Sequence, residues 1–123
     1  MVSIGTYLGV ADNSGANEVQ CIKILGHSSC NHTNIGDKLI VTVKSAGYNK
    51  AVAKHEVHGG ILVRQKQRTL RKSGVFIAFL HNRVVLVKKK NNDPIGNRVY
   101  GSVMQELRYK KCLKIMLLAS NIV

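Results

Sequence analysis

The sequence predicts a mainly β protein built as a small closed barrel, with a helical segment appended at its C-terminus. Three observations carry that prediction. The chain has 123 residues, enough for one domain with a real core and short for two. Hydrophobic residues make up 45% of it, the level of a folding chain and not a disordered one. One proline and 11 glycines punctuate short apolar runs with no helical pattern between them, the mark of many short strands.

In chain order, the first candidate strand is Tyr7–Ala11, and the turn Asp12-Asn13-Ser14-Gly15 follows it. Gly15 is expected to absorb a positive φ there, and Asp12 or Asn13 to bond the turn backbone. Val19–Leu25 is the second strand, ended by the polar stretch 26–34; Lys38–Ser45 is the third, ended by the turn 46–50. Ile61–Lys66, Val75–Leu80 and Arg83–Lys88 complete the set, separated by the loop 68–74 and the His81–Asn82 pair. Phe76 and Phe79 sit in an apolar run and are expected in the core. Beyond Pro94 the character changes. Met104–Lys111 has a helical composition with Met104 and Leu107 three apart, and Leu113–Ala119 is apolar enough to dock on the barrel as strand or short helix. The expected organisation is one domain, with the barrel in residues 1–93 and a helical appendage in 94–123.

Charge is the loudest signal. Nineteen Lys and Arg stand against six acids, a net charge of +13. A field of that sign favours a polyanion, nucleic acid before an anionic membrane. Between Val57 and Asn92 there is no acid, while Arg64, Lys66, Arg68, Arg71, Lys72, Arg83, Lys88, Lys89 and Lys90 all fall within it. If the strand continues past Arg64, then Arg64, Lys66 and Arg68 leave one face of it together as a cationic ridge, with Arg71 and Lys72 on the following loop. Ordinary surfaces mix signs, so such a ridge is expected to meet phosphates spaced along a backbone. Exposed rings on which bases could stack look scarce, which argues for folded RNA read by shape and backbone.

Other chemistries find no complete constellation. His27, Cys30 and His32, with Cys21 upstream, offer zinc-ligand types, but the usual paired spacing is missing, so no metal and no other cofactor is expected. His58-Gly59-Gly60 resembles an oxyanion loop without the nucleophile elbow that would give it a purpose. Six scattered acids make no catalytic carboxylate pair, and no phosphate-cradling glycine loop precedes a Lys. An enzyme is not expected, nor a small-molecule substrate. Asp12-Asn13-Ser14-Gly15 lacks the later ligands of a calcium loop. Cys21, Cys30 and Cys112 are odd in number and irregularly spaced, which points to free, mostly buried thiols in a reducing compartment. No apolar run approaches the roughly 20 residues of a membrane helix, and no secretory or transit pattern opens the chain.

The motifs VADNSGA (Val10–Ala16), CIKILG (Cys21–Gly26) and IGDKL (Ile35–Leu39) occur in an order that resembles a known family. The run from Gly60 through Leu86, then PIGNRVYG (Pro94–Gly101) and QELR (Gln105–Arg108), extends the likeness over nearly the whole chain. The chain is similar to the universal large-subunit ribosomal protein number fourteen, of bacterial and organellar type. That resemblance implies a five-stranded barrel with a protruding basic β-ribbon and short C-terminal helices. It implies binding to large-subunit rRNA and to neighbouring large-subunit proteins, and contact with small-subunit rRNA at inter-subunit bridges. It also implies a docking surface for a ribosomal silencing factor that blocks subunit joining, matched here by Asn97, Arg98 and Lys114. The family usually has Thr where Asn97 stands. Residues 28–34 replace its basic-aromatic stretch, Ser102 and Gln105 stand in place of Pro and Arg, and residues 119–123 replace a Pro-Glu ending. Asn, Ile and Lys number 10, 10 and 13, as an AT-rich coding genome would give.

The expected function is therefore structural: rRNA binding at the subunit interface of the large ribosomal subunit. Arg64, Lys66, Arg68, Arg71, Lys72, Arg83, Lys88, Lys89, Lys90 and Arg108 are the expected RNA contacts. A mitochondrial ribosome is the expected location, with a bacterial cytoplasm or plastid ribosome as the alternative. The rival functions are a free-standing basic barrel that binds RNA, and a zinc enzyme around His27, Cys30 and His32.

Overall fold

The structure, a computed structural model, describes residues 2–26 and 31–123. Its strands in chain order are β1 (Val2–Ser3), β2 (Tyr7–Val10), β3 (Ala16–Ile24), β4 (His32–Thr33), β5 (Lys38–Ala46), β6 (Val57–Arg64), β7 (Thr69–Leu70), β8 (Phe76–Ile77) and β9 (Arg83–Val87). The C-terminal part holds β10 (Val99–Val103), a 3-10 turn (Gln105–Arg108), helix α1 (Leu113–Leu118) and β11 (Ala119–Ile122). No helix among the described residues is long and apolar enough to cross a membrane.

Five strands close in the order β2-β3-β5-β6-β9. The neighbours pair antiparallel except at the seam, where β2 runs parallel to β9 with Gly9 opposite Arg83. Period-2 alternation explains the lumen: Leu39, Val41 and Val43 on β5 point inward while their neighbours stay half-exposed. On β6 and β9 the pattern breaks, for Ile61 to Val63 and Val84 to Val87 are buried in succession. Strands covered on both faces read this way. The second cover is the C-terminal segment, whose Val103, Met104, Leu107, Ile115 and Met116 belong to the same core cluster. The Met104 amide bonds the Val63 carbonyl.

The turn at Asp12 does more than join β2 to β3. Gly15 takes φ +107°, as its place in the turn requires. Asp12 is buried, and its Oδ1 accepts from the Ser14 amide at 3.0 Å. Its Oδ2 accepts from the Leu86 amide on β9 at 2.9 Å. Asn13 Oδ1 accepts from the amides of Asn97 and Arg98 at 3.0 and 3.2 Å. The turn thus pins the barrel seam and the C-terminal segment together.

Three expectations need correction. The run Val75–Leu80 forms only the two-residue strand β8, paired with β7 into a short ribbon, and Phe76 lies 61% exposed at its tip; Phe79 alone of the two rings packs on the core. With Gly74 at positive φ and the loop 71–74 exposed or half-exposed, the ribbon has no second layer to cover its outer face. The C-terminal part is also less helical than its composition suggests, since β10 and β11 pair in parallel there. Last, β6 ends at Arg64, so the strand does not carry Lys66 and Arg68 onward on one face.

Candidate nucleic-acid interface

The basic residues expected as one ridge fall into two groups at opposite ends of β9. Arg83 opens that strand opposite Arg64, whereas Val87 at its end lies opposite Gly59, with Lys88, Lys89 and Lys90 in the exposed turn beyond. At about 3.3 Å per residue the groups stand roughly 15 Å apart along the strand.

At the first end, Arg64 is turned inward on the protein. Its Nε donates to the Ser102 carbonyl at 2.6 Å, and its Nη2 donates to that of Tyr100, tying β6 to β10. Burial and the neighbouring Arg83 both pull its pKa down, burial most. Arg71 is committed as well. It forks onto Glu106, Nε to Oε1 at 2.6 Å and Nη2 to Oε2 at 3.0 Å, and Nη2 also reaches the Val123 carbonyl at 2.6 Å. That pairing lowers the Glu106 pKa and raises that of Arg71. Lys66, Arg68 and Lys72 stay exposed, without an ion pair among the described residues. The ridge as the sequence suggested it thus loses two of its members to internal structure, because their partners lie on the C-terminal segment 35 or more residues away.

At the second end, the turn is held from below. The Lys88 amide bonds the Asp93 carbonyl, and Lys38 Nζ donates to the Lys89 carbonyl at 3.0 Å. The three ammonium groups remain in solvent. Asn97 and Arg98 are exposed on the strip tied to Asn13, and Lys114 pairs with Asp93, four residues before Asn97. The three residues therefore gather around the segment 93–98. Arg108 is exposed at the end of the 3-10 turn.

Five of the six acids are spent internally. Asp12 bonds the turn, Asp37 pairs with Lys110 at 3.1 Å, Glu56 with His58 at 2.8 Å, Asp93 with Lys114, and Glu106 with Arg71. What faces solvent is thus more one-sidedly positive than the composition implies.

The remaining constellations take structural places where the residues are described. Gly59 and Gly60 are buried in β6 and His58 is bound to Glu56, so the His-Gly-Gly run is barrel wall. Cys21 is a buried core thiol whose pKa burial raises, and half-buried Cys112 shifts the same way for the same reason. His27 and Cys30 lie outside the described residues; among those described, no group of three His, Cys, Asp or Glu could hold a metal.

Sequence reasoning missed a cleft of about 410 Å³ beside the first group, where Tyr7 and Glu18 join Lys66, Asn82 and Arg83. Alternation could have found it: Leu8 is core, so Tyr7 and Gly9 must face outward. The family model for ribosomal protein L14p/L23e matches residues 1–123. The chain belongs to the ribosomal protein L14p/L23e family and is a structural protein of the large ribosomal subunit.

Proposed function

We propose that the chain binds large-subunit rRNA as folded RNA, gripping its backbone with two separate basic ends. Lys66, Arg68, Lys72 and Arg83 form one grip, Lys88, Lys89 and Lys90 the other, and Arg108 adds a contact beside the ribbon. The observation that carries this reading is the division of charge. Five of the six acids are engaged within the protein while these cations, Arg83 apart, stand exposed. Arg64 and Arg71 act on the interface indirectly, by holding the C-terminal segment and ribbon that carry their neighbours.

The strip around Asn97, Arg98 and Lys114 is the face proposed for the small subunit at inter-subunit bridges and for a silencing factor. Neighbouring large-subunit proteins complete its surroundings. Its exposure supports this, with the strip held in place by the Asn13 side chain on the Asn97 and Arg98 amides and by the Lys114–Asp93 ion pair. The Asn, Ile and Lys abundance favours a mitochondrial ribosome.

Replacing Lys88, Lys89 and Lys90 by Glu tests the rRNA reading. The expected result is a folded chain that fails to enter large subunits in a sedimentation assay. Its affinity for large-subunit rRNA should also fall less steeply with salt, by roughly 0.9 in the log–log slope per lost contact on a duplex. Normal incorporation with an unchanged slope would refute the grip. Arg98→Glu should leave incorporation intact and weaken joining to the small subunit. Fractionation of the source cells that leaves the protein outside mitochondria would overturn the proposed location.

A further inference from the structure

We propose that the cleft beside β2 receives one unpaired nucleotide of the RNA, its base against Tyr7 and its phosphate on Lys66 and Arg83. The inference rests on the rRNA-binding reading above and assigns it a mode at one place.

The cleft is lined by Tyr7, Gly9, Glu18, Lys66, Asn82 and Arg83, with Leu80 also at its wall. Tyr7 is 55% exposed, because Leu8 beside it takes the inward face of β2. Gly9 is on the outward side with it. A Cβ there would stand 2.4 Å from Arg83 Nη1, so glycine is what lets the guanidinium lie across the strand. Nη1 spends itself on a long 3.4 Å bond to the Val10 carbonyl, and no other donor of that group has a partner among the described residues. Asn82 is oriented by accepting from the Lys66 amide at 2.7 Å, and its NH₂ meets no acceptor among the described residues.

The opposite wall decides the ligand class. Glu18 pairs with Gly9 across the strands and is the one acid in the cleft. A bare phosphate or an acidic peptide would meet Lys66 and Arg83 but give this carboxylate no donor. A nucleotide uses every side: cations for the phosphate, a ring for the base face, and a carboxylate that accepts from a base amino group. Leu80, 84% exposed, offers an apolar surface to the same base or its sugar. An extruded nucleotide is also what lets a protein contact a base in folded RNA, whose paired major groove is too narrow to read.

The test uses the full chain and two labelled RNA hairpins, one with a single-nucleotide bulge in its stem and one fully paired. Stacking on one ring should make the bulged RNA bind about tenfold tighter. Tyr7→Ala should erase that preference without changing affinity for the paired stem, and Tyr7→Phe should keep it. Equal binding of both RNAs, or a preference that survives in Tyr7→Ala, would sink the cleft while leaving backbone binding in place. Binding of neither RNA at low salt would bring down the rRNA-binding reading, and the cleft with it.

Discussion

Asp12 shows how a residue that looks like chemistry serves structure. Its two oxygens face different elements, Oδ1 the Ser14 amide and Oδ2 the Leu86 amide. Asp12→Asn would set an NH₂ against one of those donors in a buried site, so a loss of about 1–3 kcal/mol is expected in urea unfolding. Asp12→Ala should cost a similar amount by leaving the Leu86 amide unpaired. Glu106 makes a complementary case, because its charge is part of the bond. Arg71 holds its carboxyl below the ordinary glutamate value of 4.5. A depressed folded pKa gives stability that is present above that ordinary value and lost as pH falls through the folded one. Wild type should therefore lose stability relative to Glu106→Gln as pH drops below about 4.5, a difference readable in thermal melts. At neutral pH the same variant should be less stable than wild type by about 1 kcal/mol, since the pair is half-exposed and bidentate.

At the scale of elements, the barrel was legible and its cover was not. Leu39, Val41 and Val43 alternate with half-exposed neighbours, and the turn residues mark both ends of the strand. β10 and β11 escaped because nothing local encodes them. Val99–Val103 contains a glycine, Ala119–Ile122 is half polar, and each becomes a strand only through parallel pairing with the other. The unbroken apolar run Val84 to Val87 was the available clue that a second layer lay outside β9. The ribbon failed in the opposite way. An apolar run read as a six-residue strand is mostly loop, since no sheet lies beside it to reward pairing. The candidate site followed the same rule. Exposed Lys66, Arg68 and Lys88 to Lys90 could be read from charge alone, but the fates of Arg64 and Arg71 depended on Ser102 and Glu106. If the C-terminal segment is integral to the core, as its buried side chains indicate, Leu107→Ala should cost about 2–5 kcal/mol in one cooperative transition. A separate early transition of residues 94–123 would contradict that.

For the whole molecule, the two basic ends are the arrangement that most limits how RNA can lie on it. They sit at opposite ends of one rigid strand, linked by backbone bonds and not by a mobile loop. Sites more than about 7–10 Å apart with no shared partners usually act independently. Charge reversal at either end should then cost its own share of rRNA affinity, and reversal at both should cost the sum of the two free energies. The first end has to be probed with Lys66→Glu and Arg68→Glu. Arg64→Glu would set a carboxylate against the Ser102 and Tyr100 carbonyls and destabilise the fold by about 2 kcal/mol, which confounds any binding assay. Measured by filter binding across a salt series, the Lys66/Arg68 and Lys88–90 variants should each lower the salt slope, and the combined variant should lower it by both amounts. A combined loss no larger than either single loss would mean that one RNA segment contacts only one end at a time. The barrel would then be a pivot and not a brace between two stretches of rRNA.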